Sequence, residues 1–341
     1  MENIFTIGLD LAKHVFQVHG ADRNGAVVLR EKLRWDQLFA FFAELPRCVV
    51  AMEACGGAHY WGREIGQLGH EVKLIAPAYV KPFVKREKND MADAEAICEA
   101  AQRPTMRFGP VMSELAQASA LVFRIRDLLV RQRTQLINAL RGHMTEFGMV
   151  VAQGPMHVGR LIAIIEDQVS NLREPARIVL GVITAELRAL NDRVSVLDAE
   201  IIRRAKEDPV ARRLMTIPGN GAITATALVA LAPSAATLRR GRDFAAWLGR
   251  TAVQHSSGGK ERLGQTSRMG ERTLRRLLII GASAVASWAS RKGPVPGSWL
   301  ASMMARKPRM LVRVALTNKM ARIVWALLAH GGVYRAPAMA A

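Results

Sequence analysis

Short apolar stretches open the chain. Ile4–Leu9, His14–His19 and Ala26–Glu31 are rich in β-branched or aromatic residues and are parted by Gly-containing breaks, which predicts three strands. The pattern then turns helical over Trp35–Glu44. Arg47–Met52 (RCVVAM) predicts a buried strand, His59–Leu68 a helix, and Glu71–Ile75 a strand that stops at Pro77. Asp90–Ala101 predicts a helix opened by Asn89-Asp90, a pair suited to N-capping. Three strands, then helix, strand, helix, strand, helix is the order of an RNase-H-like α/β domain, although many α/β folds begin the same way.

The period changes in the middle of the chain. Leu115, Ala118, Val122, Ile125, Leu129, Gln132, Leu136 and Ala139 recur at alternating spacings of three and four, and so do Leu180, Ile183, Leu187, Leu190, Val194, Leu197 and Ile201. This is a heptad seam, and it fits either a coiled-coil arm or an ordinary helical bundle. Breakers between Gly142 and Pro175 can join the two helices. The last third reads as helical and Gly-punctuated, with apolar runs at Gly221–Pro233 and Leu277–Ala289 and closing helices at Leu274–Ser290 and Leu311–Leu328. Ile217-Pro218-Gly219-Asn220-Gly221 resembles the turn of a helix-hairpin-helix module, in which backbone N–H groups of residues such as Gly219 and Gly221 meet a phosphate at a helix N-terminus. The expected architecture is α/β plus α: an RNase-H-like domain over 1–110, a helical coiled-coil region over 111–206, and a mainly helical DNA-binding domain with a helix-hairpin-helix-like motif over 207–341.

Charge narrows the partners. Lys and Arg number 48 against 29 Asp and Glu, a formal net charge of +19. Ten basic and three acidic residues fall between Arg239 and Arg276. Such an excess favours a polyanion, and nucleic acid first, because neutralised phosphates release counterions. No apolar run reaches the ~18 residues of a spanning helix, and no signal-peptide pattern opens the chain, so no membrane partner is expected. Cys48, Cys55 and Cys98 are odd in number and form no CxxC pair, which indicates neither a disulfide framework nor a zinc site and suits a reducing cytoplasm.

Two constellations carry candidate chemistry. Asp10 ends the first predicted strand and Glu53 follows the RCVVAM strand; neighbouring strands would project both carboxylates from one sheet edge. Asp90 and Asp93, three apart at a helix start, share a face. Each acid alone has a structural reading, as a cap or turn residue. Together, hard oxygen ligands in this arrangement suit Mg²⁺ and phosphodiester chemistry. Lys13, Lys85, Arg86 and Lys88 lie nearby as phosphate contacts or ion-pair partners. The second constellation is QHSSGGKERLG at 254–264. Gly258 and Gly259 permit close backbone approach to a phosphate, Lys260 and Arg262 add charge, and Arg268, Arg272, Arg275 and Arg276 follow. A serine here either attacks a phosphodiester or donates a hydrogen bond to a DNA phosphate, and His255 is either a general base or incidental.

The stretches GLDLAKHVFQVHG, VVAMEACGGAHYW, VKPFVKREKNDMADAEAI, MTIPGNGAITATAL, FAAWLGRTAVQHSSGGKERLG and GERTLRRLLIIGA span most of the chain. They resemble the insertion-sequence transposases with a DEDD, RuvC-like domain, the IS110 family in its IS1111-like branch. The resemblance implies a metal-binding quartet at Asp10, Glu53, Asp90 and Asp93, and a nucleophilic serine at Ser257 rather than Ser256. It implies recombination of double-stranded DNA at element ends and target through a transient protein–DNA bond, a structured guide RNA, a homodimer assembling into a tetramer, and a cytoplasmic, nucleoid-associated life. One departure is visible: the family often carries ISKRG after the serine loop, where this chain has TSRMG at Thr266–Gly270. Two other readings remain beside it. One is a metal-only nuclease resembling Holliday-junction resolvases, in which the serine merely binds DNA. The other is a non-catalytic nucleic-acid scaffold; the acidic quartet argues against it, since carboxylates repel phosphates unless a cation lies between them.

Overall fold

A computed structural model describes residues 3–336 except Lys13, Arg86–Lys88, Arg268 and the side chain of Pro155. Strands β1 (Thr6–Asp10), β2 (Val15–Ala21), β3 (Val27–Arg34), β4 (Val49–Glu53), β5 (Glu71–Ile75) and β6 (Phe108–Gly109) form one sheet in the order β3-β2-β1-β4-β5-β6. β1, β4 and β5 are parallel; β2 is antiparallel to β1 and β3, and β6 to β5. Parallel neighbours need crossover connections. Helix α1 (Trp35–Glu44) precedes β4, and α2 (Ala58–Gln67) joins β4 to β5. The order agrees with an RNase-H-like domain.

Period-two alternation sorts the strand residues between two faces. Ile7, Leu9, Val50, Met52 and Leu74 pack with Leu38 and Phe42 of α1 and Trp61 and Ile65 of α2. Ala51 and Ile75 face the other way, toward Ile97 and Ala100 of α4 (Asp90–Ala101). Gly8 takes that second face as well. A Cβ there would fall 2.2 Å from the Ala94 carbonyl oxygen and 2.5 Å from the Cys98 nitrogen. Helix α4 therefore rests directly on the β1 backbone, an approach that only glycine permits.

The pattern predicts α1, β5 and α4 residue for residue. The first four strands start and end slightly later than predicted. The turn α3 (Pro77–Val80) and the two-residue β6 escape sequence reading because neither is long enough to show a period.

Contacts group the chain into two units, Met1–Gln117 and Ala118–Ala341, divided within the first turn of α5 (Glu114–Glu146). The second unit continues with α6 (Val158–Glu166), α7 (Glu174–Glu207), α8 (Pro209–Met215), α9 (Ala222–Leu231), α10 (Gly241–Trp247), strands β7 (Ala252–Gln254) and β8 (Leu263–Thr266), α11 (Arg272–Lys292), α12 (Trp299–Arg306) and α13 (Arg309–His330). Helices α5 and α7 run antiparallel. Arg126 pairs with Asp198, and seven residues on, Arg133 donates to Asn191 at 3.1 Å. The apolar stripe on α7 is turned inward, with Leu180, Leu187, Leu190, Val194 and Ile201 buried. On α5 the fully buried residues are Ala120, Phe123, Leu140 and Met144, set one position beyond Ala139 and Val122 of the predicted seam. Leu115, Ala118, Ile125 and Gln132 are exposed. The segment between the two long helices is not a plain connector. It forms α6, locked to α7 by the buried Arg177, whose guanidinium donates to the carbonyls of Ile165 and Leu172 at 2.8 and 2.9 Å. Among the described residues, no helix is long and apolar enough to cross a membrane.

Candidate functional site

The strand alternation that buries Leu9 and Met52 turns Asp10 and Glu53 to the α4 face. β1 and β4 pair Leu9 with Met52, so the next step of that register sets Asp10 beside Glu53 at the carboxyl ends of parallel strands. Such ends are the usual ligand edge of an α/β sheet. The same edge receives the N-terminus of α4. Asn89, not Asp90, caps this helix: its side chain accepts from the Ala92 amide at 2.8 Å. Asp90 is thereby released from capping and stands one turn before Asp93 on the same face. The structure brings together Asp10, Asp90 and Asp93, with one carboxylate oxygen of each within 4.8 Å of the others. Glu53 lies outside that trio but close enough to act on Asp10 electrostatically.

Crowding shows in the protonation of Asp10. Burial, then the charges of Asp93, Asp90 and Glu53, push its carboxyl up from 3.8 to about 6, and the Leu11 amide only partly offsets them. No described Lys or Arg forms an ion pair with Asp10, Asp90 or Asp93. Three hard, mutually repelling oxygen donors where a strand end meets a helix N-terminus, Asp10 and Asp93 half-buried and Asp90 exposed, suit a divalent cation. Lys85, by contrast, is exposed and paired with Glu95. Lys13, Arg86, Lys88 and Arg268 lie outside the described residues. A hollow of about 710 Å³ lined by Asp22, Arg47, Cys48 and Glu71 sits at the amino ends of the strands, the edge opposite the acids.

In the second unit, β7 and β8 pair antiparallel and carry the serine loop. Gly258 and Gly259 have φ of 57° and 76°, and the Lys260 amide donates to the Ser257 carbonyl at 3.1 Å. Two successive positive φ values define a type I′ turn, whose twist matches that of a hairpin. The glycines are thus required by the turn itself. The adjacent serines differ sharply. Ser256 Oγ accepts from the Arg262 amide at 3.0 Å and from Gln254 Nε2 at 3.1 Å, tying the hairpin together. Ser257 Oγ is exposed and has no hydrogen-bond partner among the described residues. Lys260, Arg262 and Arg272 are also exposed. Arg275 donates to the Met269 carbonyl at 2.7 Å, and Arg276 pairs with Asp127. The His255 ring lies against Gly264, where a Cβ would come 2.8 Å from it.

Gly221 N-caps α9 in open space, whereas Gly219, at φ 83°, meets α11: a Cβ there would fall 2.6 Å from the Gly281 carbonyl oxygen. Close helix packing accounts for Gly219 without any ligand. Sequence reading missed Gly8, although a glycine inside an apolar strand is a sign of close backbone approach. Of the Asn89-Asp90 pair that the sequence offered for capping, Asn89 is the residue that caps.

A mixed α/β sheet with an acidic cluster at its ligand edge, joined to a basic helical unit, is the class of a metal-assisted enzyme acting on nucleic acid. Comparison with known proteins makes this specific. Residues 7–149 match a DEDD transposase model of the IS110 type, and residues 211–294 match the transposase IS116/IS110/IS902 family. The chain is 46% identical to a "Probable family 20 transposase" of Pseudomonas aeruginosa, over 98% of this chain and 99% of the relative. It is 37% identical to the transposase for insertion sequence element IS1328 of Yersinia enterocolitica, over 98% and 99%. It is also 37% identical to the transposase for insertion sequence element IS1111A of Coxiella burnetii, over 98% and 92%. The chain belongs to the IS110 family of insertion-sequence transposases, and is an enzyme that transposes DNA.

Proposed function

We propose that this transposase cuts and rejoins double-stranded DNA through Ser257, with Asp10, Glu53, Asp90 and Asp93 holding Mg²⁺. The observation that carries the reading is the division of labour between the two serines. Ser256 is consumed by the hairpin, and Ser257 presents an unengaged hydroxyl beside a type I′ turn and exposed Lys260 and Arg262.

The step is a transesterification. Ser257 Oγ attacks a phosphodiester phosphorus and loses its proton to a base; a Ser257 O–P bond forms, one P–O ester bond breaks, and the freed DNA oxygen is protonated. Attack by a hydroxyl of the partner strand reverses the step, restores the serine and leaves rejoined DNA. Lys260, Arg262 and the amides of Gly258 and Gly259 steady the phosphate. A divalent cation on the acids supplies charge neutralisation and Lewis acidity when bound. Asp10 and Asp93 position it from the sheet edge and the helix start.

Gly221, Arg272, Lys85, Arg86, Lys88 and Arg268 act as backbone contacts, and Gly219 holds the helix-hairpin-helix-like turn on α11. The antiparallel α5–α7 arm serves as a coiled-coil contact in a homodimer assembling into a tetramer. An element-encoded RNA guides target choice in the cytoplasm, where the DNA resides.

A trapping experiment tests this. Purified protein, Mg²⁺, the element's RNA and a nicked donor that cannot religate are combined, and protein-linked DNA is sought on a denaturing gel. The adduct is expected with wild type and Ser256→Ala and absent with Ser257→Ala. Cleavage without an adduct, unchanged in Ser257→Ala and abolished in Asp10→Ala, overturns the serine step in favour of a metal-only nuclease.

A further inference from the structure

A groove of about 740 Å³ in the second unit lies away from the serine hairpin's own residues. α13 lines it with Asn318, Lys319, Arg322 and Trp325 and with an apolar strip that includes Leu311 and Val314; Trp299 of α12 and Arg250 also line it. Among the described residues, no acidic one lines it. Lys319 Nζ sits 4.5 Å from the Trp299 ring centroid, a cation–π contact between two of the lining side chains. Arg322 is exposed at the rim.

Arg250 sets this groove apart. Its side chain is 8% exposed, and neither Nε nor Nη2 has a hydrogen-bond partner among the described residues. Two buried guanidinium nitrogens without partners are expensive, because those donors have lost water and gained nothing. Asn318 does not relieve it: Asn318 Nδ2 donates to the Arg250 carbonyl at 3.0 Å and leaves the guanidinium alone. Burial and the nearby charge of Arg275 both disfavour the cation further. An anion is the missing partner that would offset this cost.

We infer that this groove holds one nucleotide of a single-stranded nucleic acid, with its phosphate drawn to Arg250 and Lys319 and its base against Trp299. A phosphate matches the fork of the guanidinium, and an indole face gives every base a stacking surface. A duplex keeps its bases inside the stack and offers none to an indole face. The inference rests on the reading of the protein as one that acts on nucleic acid, but needs neither the serine step nor the metal.

The test uses full-length protein and fluorescein-labelled strands of about 12 nucleotides, within the usual range of single-strand sites. One strand is oligo-thymidine, one oligo-uridine, and one a blunt duplex of the same length. Trp299→Leu and Lys319→Gln are expected to weaken single-strand binding about tenfold and about threefold, with duplex binding unmoved. Arg250→Met is expected to abolish the single-strand preference without lowering the melting temperature, since it removes an uncompensated buried charge. Tighter uridine binding makes RNA the occupant and tighter thymidine binding makes it DNA; either supports the groove. Equal loss on strand and duplex, or no loss with Trp299→Leu and Lys319→Gln, overturns it. So does an Arg250→Met that melts lower and binds normally. These binding measurements need no cleavage, and the serine step is read separately by the trapping gel, so failure of the groove and failure of the serine step are told apart.

Discussion

Asp10 is held in the folded protein in a setting that favours its proton. An unfolded chain gives its carboxyl a pKa of 3.8, and the folded site raises it to about 6. A group whose folded pKa is raised favours folding in acid, and that contribution is lost as pH climbs through about 6. Asp10→Asn should therefore melt higher than wild type at about pH 7.5 in a chelator, and should lose that advantage near pH 5. Asp10 is partly open to water, so the gain is about 1 kcal/mol, a shift of a few degrees. Differential scanning fluorimetry reads it, and a variant melting lower at the higher pH refutes the assignment. The wild type should gain its lost stability from Mg²⁺ above about pH 6 and little below it, because protons and cations compete for the same oxygens. Such residue-level facts were unevenly legible in the sequence. A strand-ending Asp and an i, i+3 pair of acids are local patterns, and they pointed to Asp10, Asp90 and Asp93. Two neighbouring serines are the same residue type in the same context; only the family resemblance favoured Ser257 in the sequence, and the hydrogen bonds to Gln254 and Arg262 give the physical difference between Ser256 and Ser257.

At the scale of elements, small residues decide what reaches the site. α4 can bring Asp90 and Asp93 to Asp10 because Gly8 offers no side chain under Ala94 and Cys98. Gly8→Ala should push the helix off β1, destabilise the first unit by about 2 kcal/mol, and weaken Mg²⁺ binding even where the protein remains folded. A chemical-denaturation curve and a Mg²⁺ titration by melting temperature measure the two effects, and an unchanged metal response would show that α4 does not set the cluster. The hairpin poses the opposite case. Gly258→Ala and Gly259→Ala meet open space but adopt a left-handed backbone, costing about 1 kcal/mol each. Local strain at an exposed hairpin should reduce adduct formation while the global melting temperature stays within a degree or so. Element identities in the first unit were legible because strands and helices there have clean periods. The β7–β8 hairpin was not, since three- and four-residue strands are too short to show alternation. On α5 the predicted seam missed Phe123 and Leu140 by one position because apolar residues occur on both sides of the helix.

For the whole molecule, the net charge of +19 predicts DNA binding that falls steeply with salt. Replacing Lys260, Arg262 and Arg272 together with Gln should lower the slope of log K against log salt by about 3, at roughly 0.9 per lost phosphate contact. Replacing Arg275 and Arg276 should instead disturb folding, because these side chains are already engaged by the Met269 carbonyl and Asp127. Anisotropy titrations at several salt concentrations separate the two groups, and an unchanged slope in the triple variant would remove the hairpin from the DNA interface. An N-terminal α/β sheet followed by many helices could be read from periodicity. The empty-handed Arg250 could not, because lacking a partner is a property of three-dimensional surroundings. Gly8 shares that invisibility, and it has a genetic corollary. A random-mutagenesis screen scored by loss of transposition should recover lesions at Gly8 alongside those at the four acids. A survey that ranked positions by reactive side chains would pass over it, although a single added methyl group there is expected to silence the element.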